Sequence, residues 1–186
     1  MINTAFLILV TTLTNIVPLG LPWEKIHQHH PDISGYSYYY GDLDWGQVIY
    51  LGREDIAGME TELQIYFLRG RLTKAILILG PRGINDYNCI KKYKRIKKLV
   101  TYKYGKYNFI KEEKDPIIED LIYSSECYPV SLGIYSVSTY WTKGDFQIES
   151  TLVADSDGYY IEISYVYLNL DRDRKKHESK LLLRKL

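Results

Sequence analysis

Three histidines crowd one short stretch, His27, His29 and His30, with Asp32 close behind. On a helix His27 and His30 would be neighbours on one face, a spacing that can hold a metal. A structural zinc site needs four ligands and a catalytic one three plus water. No second ligand motif stands at a recognisable spacing elsewhere, so the group reads as an exposed polar helix face and no metal is expected.

The other constellations resolve in the same way. Asp155-Ser-Asp-Gly158 resembles the start of a calcium loop but lacks the third acidic ligand before the glycine and the closing Glu. It reads as a turn built from Asp and Gly. Gly80-Pro-Arg-Gly83 is followed by no Gly-Lys-Ser/Thr, so it reads as a breaker between strand and helix rather than a phosphate cradle. There is no Gly-x-Ser-x-Gly, and nothing around Cys89 or Cys127 pairs either thiol with His177 or the His27 group as a nucleophile and base. The carboxylate pairs Glu60/Glu62 and Asp155/Asp157 sit on a strand face or in a turn, where exposed acids are ordinary. No cofactor is called for.

Lys91, Lys92, Lys94, Arg95, Lys97 and Lys98, with Lys103 beyond them, form a basic patch on one helix. Such a face could meet anionic lipid head groups, polysaccharide or nucleic acid; a solvated helix face is the simpler reading. The formal net charge is only +1, which argues against a protein built around attraction to nucleic acid.

Cys89 and Cys127 are the only thiols. They can pair, which would stabilise the fold, or remain two separate buried thiols.

The chain has 186 residues, and the first charged one is Glu24. In residues 1–21 the apolar run Ala5 to Val10, followed by Thr11 to Gly20, has about the length of a signal-peptide core, with an uncleaved N-terminal anchor as the rival. The remainder, 22–186, is long enough for a single domain with a real core. Its compositional oddity is nineteen Tyr against four Phe. Tyr has an apolar body and a polar tip, so the bias favours antiparallel sheet with one wetted face.

Those residues must be positioned by elements that the hydrophobic period reveals. A short helix is expected from Leu21 to His30, ended by Pro31. Tyr36 to Tyr40 and Gln47 to Leu51 read as strands. In Glu60 to Leu68 the residues Leu63, Ile65 and Phe67 alternate with Glu62, Gln64 and Tyr66, which is the period of a half-buried strand. Arg69-Gly70-Arg71 turns it into a hairpin with Leu72 to Leu79. Asn85 or Asp86 is placed to cap a helix whose stripe is Cys89, Tyr93, Ile96 and Val100, with Gly105 at its end. Lys111 to Pro116 reads as charged and mobile. Ile134 to Trp141, Phe146 to Val153 and Tyr159 to Leu168 predict an antiparallel meander, and Asp171 to Leu186 a terminal helix with acids early and bases late. The fold class is α+β, an antiparallel sheet of about six or seven strands (a hairpin plus the C-terminal meander) with three helices. It can also be divided into two helix-plus-meander halves.

Pro22-Trp23 after the leader, the Tyr-rich strands, Leu99-Val-Thr-Tyr-Lys-Tyr-Gly105 closing the middle helix, and Trp141 before the last strands resemble a group of small exported bacterial proteins of unknown function. Glu24 stands where that pattern has Gly. The resemblance implies a periplasmic or secreted α+β domain and carries no catalytic residue.

The expected function is therefore that of an exported bacterial envelope protein that binds a partner rather than transforming a substrate. Its partner would be a protein or another envelope component, not nucleic acid, with membrane contact only through residues 4–21 if the leader is retained. The expected contact residues are Tyr36, Tyr38, Tyr40, Trp45, Tyr66, Trp141 and Tyr160, because Tyr and Trp supply large contact area with few rotors. The alternatives are a membrane-anchored protein facing the periplasm, its basic helix on anionic lipid, and a small hydrolase or metal-dependent enzyme.

Overall fold

The computed structural model describes residues 28–29, 31–33, 35–42, 46–52, 59–84, 88–114, 127–155 and 158–183. The expected leader, the helix expected from Leu21 to His30, most of the histidine group and Trp45 lie outside them.

Eight strands form one sheet: β1 (Tyr36–Asp42), β2 (Gln47–Gly52), β3 (Thr61–Leu68), β4 (Arg71–Ile84), β5 (Phe109–Lys114), β6 (Tyr135–Lys143), β7 (Phe146–Asp155) and β8 (Gly158–Tyr167). Their order is β1-β2-β3-β4-β8-β7-β6-β5, and every neighbouring pair is antiparallel. The α+β class with an antiparallel sheet is as expected; the number of strands exceeds the expected six or seven. Two four-stranded meanders, each followed by a helix, meet where β4 pairs with β8.

Alternation sets the two sides of the sheet. Along β3, Thr61, Leu63, Ile65 and Phe67 are buried while Glu62, Gln64 and Tyr66 are half-buried. Arg69 and Gly70 both take positive φ, 52° and 73°, joining Leu68 to its partner Arg71 as a two-residue turn whose twist suits a hairpin. At the β1–β2 end Gly41, with φ 127°, lies where a Cβ would stand 2.3 Å from the carbonyl oxygen of Gln47, so only glycine fits that approach.

Helix α1 (Cys89–Tyr104) buries Cys89, Tyr93, Ile96, Leu99 and Val100. It covers the face carrying Val137, Trp141, Ile148, Leu152, Ile161, Ile163 and Tyr165, which pack into the same core. The helix starts at Cys89, with Asn88 at the capping position making no side-chain capping bond; the expected caps Asn85 and Asp86 lie outside the described residues. Gly105 ends it at φ 84°, its N–H donating to the carbonyl of Thr101. Tyr93 pins the helix to the sheet: its hydroxyl bonds Thr139 Oγ1 at 2.7 Å and donates to the Ser150 carbonyl at 2.9 Å. Tyr93→Phe is expected to cost about 1–3 kcal/mol in urea unfolding, because it leaves buried acceptors unsatisfied.

A second, four-residue helix, α2 (Tyr128–Ser131), was not expected from the sequence. The terminal helix α3 (Leu168–Leu183) follows β8 at once and packs on the opposite face, against β3, β4 and β8. The two meander-plus-helix units therefore place their long helices on opposite sides and are not related by symmetry.

Two expectations are corrected. Lys111 to Lys114 belongs to β5, where pairing with β6 orders it. Its charges fit an edge position, where exposed Lys and Glu discourage further pairing; Lys111 bonds Glu113 and Lys114 bonds Glu112. Gly80 to Gly83 does not end a strand. It falls within β4, where the register to β8 shifts between Leu79 and Ile84, so the glycines accommodate an irregularity rather than a breaker.

Candidate functional site

The sheet face opposite α1 is polar because the alternating residues there are Gln47, Glu62, Gln64, Tyr66, Lys74, Glu162, Glu149 and Tyr140. Register brings them into cross-strand rows. One row runs Leu51, Glu62, Ile78, Glu162, Thr151, Ser138, Lys111; the next runs Tyr40, Ile49, Gln64, Ile76, Ser164, Glu149, Tyr140, Phe109.

Tyr66 is the centre of a hydrogen-bonded group on this face. Its hydroxyl donates to Gln64 Oε1 at 2.9 Å and accepts from Gln47 Nε2 at 3.0 Å, and Gln64 in turn donates to Glu62 at 2.7 Å. The Arg174 guanidinium lies 5.1 Å from the ring centre and the Lys74 ammonium 5.6 Å, both within cation–π reach. Arg174 is buried and donates within α3 to Asp171 at 2.8 and 3.0 Å and to Glu178 at 2.5 Å, bonds that fix the guanidinium beside the Tyr66 ring. Burial pushes the Tyr66 hydroxyl above its ordinary pKa, with the Arg174 charge acting the other way. Burial would raise Asp171 too, but bonds from Lys175 and Arg174 outweigh it and hold that carboxyl below its usual range.

Glu162 sits in the middle of the face. Burial raises its pKa, Lys74 partly offsets this, and the neighbouring Glu149 adds to the rise. Since the folded value exceeds the unfolded one, the contribution to stability is complete below the unfolded pKa and is lost as pH rises through the folded one. At neutral pH the charge is a net cost. Glu162→Gln is accordingly expected to stabilise the domain at pH 7, by less than about 1 kcal/mol because solvent still screens the group, and to give no gain below about pH 4. A thermal melt at the two pH values checks this. A carboxylate kept half-buried against its own stability is a candidate for ligand contact.

The second candidate surface is the sheet edge. Tyr38, Tyr39 and Tyr40 are 44, 61 and 55% exposed, with Leu51 of β2 at 39%. A register shift between Tyr38 and Tyr40 makes Tyr39 an extra residue and turns Tyr38 and Tyr40 to opposite faces. Tyr39 and Tyr40 meet edge to face with centroids 5.2 Å apart, and Tyr38 approaches Tyr50 likewise at 6.2 Å.

The expected contact residues are thus divided. Tyr40, Tyr66 and Tyr160 share the polar face but lie on three different strands. Tyr36 and Tyr38 lie on the α1 face, Tyr36 half-buried against the core. Trp141, expected at a surface, is fully buried in the core under α1, where its parity on β6 places it. Tyr39, Glu162 and Arg174 were not singled out from the sequence, although strand alternation alone puts Glu162 opposite the core residues Ile161 and Ile163.

Of the other sites, Lys91, Lys94, Arg95 and Lys98 are exposed on α1, and Lys92 and Lys97 partly so. Cys89 and Cys127 form a disulfide, Cα atoms 5.7 Å apart; such bonds persist in oxidising compartments. Among the described residues His29 is exposed, no three His, Cys, Asp or Glu side chains are grouped to hold a metal, and no helix is long and apolar enough to cross a membrane.

Fold and site together define a disulfide-tied α+β domain built on one eight-stranded antiparallel sheet. Comparison with protein-family models, curated proteins and solved structures returns no match, so its function is argued from its own residues.

Proposed function

We propose that this chain is an exported bacterial envelope protein that acts as a binding domain, with Tyr38, Tyr39, Tyr40 and Leu51 as its contact edge and the polar face around Tyr66 and Glu162 beside it. The observation that carries the reading is the display of three consecutive tyrosines at a sheet edge, each more than two-fifths exposed, in a domain whose core already buries Tyr50, Tyr93, Tyr159 and Tyr165. Rigid rings with polar tips are the side chains that contribute most per residue to a protein contact. Export is supported by the Cys89–Cys127 bond and by the uncharged apolar stretch before Glu24. The polar face, with Gln, Glu and Tyr already bonded to one another, is preorganised to orient a partner that reaches it beside α3.

The test places a photo-crosslinking residue at position 39 or 40, and at Glu113 on the far edge as control, in protein made in its native host. The expected result is a discrete adduct in the envelope fraction from positions 39 and 40 only, lost in Tyr38→Ser/Leu51→Ser protein with unchanged circular dichroism. Equal labelling from all three positions would remove the binding edge. The intact mass of the same protein, before and after reduction, reads leader removal and the disulfide together; a reduced protein retaining Met1 contradicts export.

A further inference from the structure

Lys91, Lys94, Arg95, Lys98 and Tyr102 line the outward side of α1 at helical spacing, and all five are exposed, Tyr102 at 71%. The opposite side of the helix is the stripe sealed into the core. From Cys89 to Tyr104 the helix contains no Asp or Glu. Among the described residues none of the four cations has a carboxylate partner: Glu112 and Glu113 of β5 are held by Lys114 and Lys111, and Asp171 and Glu178 of α3 by Arg174 and Lys175. Lys97 beside them lies 5.5 Å from the Tyr107 ring. A chain with net charge +1 thus gathers on one helix four cations that have no carboxylate partner among the described residues.

We infer that this face of α1 docks on an anionic bilayer surface. The four cations span two turns, about 10 Å, in a line on the outside of the domain, an arrangement that meets a planar layer of mobile head groups all at once. Lys and Arg stems can lie along the lipid boundary with their charges in the head groups, and a tyrosine at the end of the line belongs at the same depth. Single-stranded nucleic acid would instead call for a basic groove with several aromatic platforms for bases, and only Tyr102 stands on this stripe. Stable membrane attachment takes two signals, and the apolar residues 4–21 would supply the other in any molecule that keeps them. The surface is separate from the tyrosine edge and does not depend on it.

The test is sedimentation of the full chain with vesicles of phosphatidylcholine alone or with three-tenths phosphatidylglycerol. The expected result is partition at least about tenfold greater into the anionic vesicles at 50 mM salt, with the difference gone at 500 mM as the charges are screened. Each juxtamembrane cation contributes about fivefold, so K91Q/K94Q/R95Q/K98Q should abolish the difference, while Tyr39→Ser/Tyr40→Ser leaves it intact. Equal partition of the unmodified chain into both vesicle types overturns the inference, as does a quadruple variant that keeps the preference. So does tighter binding to heparin or a single-stranded oligonucleotide than to the anionic vesicles. Because the unmodified chain and the salt series carry the first arm, a misfolded variant does not rescue it.

Discussion

Trp141→Ala is expected to lower the stability of the domain by about 3–5 kcal/mol, the range for removing a large aromatic side chain from a packed core. Trp141 has no solvent exposure. It pairs with Ile148 across β6 and β7, meets Tyr107 edge to face at 6.3 Å, and its indole N–H donates to the Gly105 carbonyl at 3.0 Å. That bond fastens the C-terminal end of α1 to the sheet, so truncation both opens a cavity and frees the helix end. Small domains are stable by only about 5–15 kcal/mol in total, so the variant would lose a large share of its margin. Trp141→Phe, which restores most of the volume but not the donor, should fall between the two. Urea unfolding followed by far-ultraviolet circular dichroism is the measurement, since the indole reporter is removed. A change below about 1 kcal/mol would mean that Trp141 is not core, returning it to the surface role first expected of it.

The second large effect is that of the Cys89–Cys127 bond. The two residues are 38 apart in sequence, and closing a loop of that size in the unfolded chain is worth about 4 kcal/mol. The bond joins the first residue of α1 to the residue preceding α2, anchoring the start of α1 through the sheet side of the domain. Both cysteines are buried, so Cys89→Ala/Cys127→Ala leaves small apolar residues rather than stranded polar ones. That variant, and the unmodified protein under a reductant, should show parallel drops in urea midpoint. The single variants should be no more stable than the double one. If reduction leaves the midpoint unmoved, the bond does not constrain the chain, and an oxidising compartment would no longer be needed to explain its stability.

The two effects differ in how far they could be foreseen. The sequence shows two cysteines and leaves open whether they pair; only the fold brings their Cα atoms within bonding reach. Trp141, expected from the sequence as a contact residue, is instead buried under α1. On β6 the residues 137, 139 and 141 face α1 and the intervening ones face away, and no local feature of Tyr135 to Lys143 says which set is covered. The site suffered most from this. Tyr66 and Arg174 come together only because α3 folds back across β3, and the tyrosine edge owes its outward rings to a bulge at Tyr39.

Several elements were legible because their causes are local. Strict alternation from Thr61 to Leu68, the Arg69-Gly70 turn, the apolar stripe of α1 and the Gly105 stop each follow from backbone geometry over a few residues. The edge strand β5 was not legible, because Phe109 to Lys114 has the composition of a solvated loop and becomes a strand through its bonds to β6. By itself the sequence determined the α+β class, the hairpin, the C-terminal meander and the two long helices. The tertiary structure alone decided strand order, which face each helix covers and which aromatic rings remain outside, because those outcomes depend on burial and pairing between segments that do not meet until the chain folds.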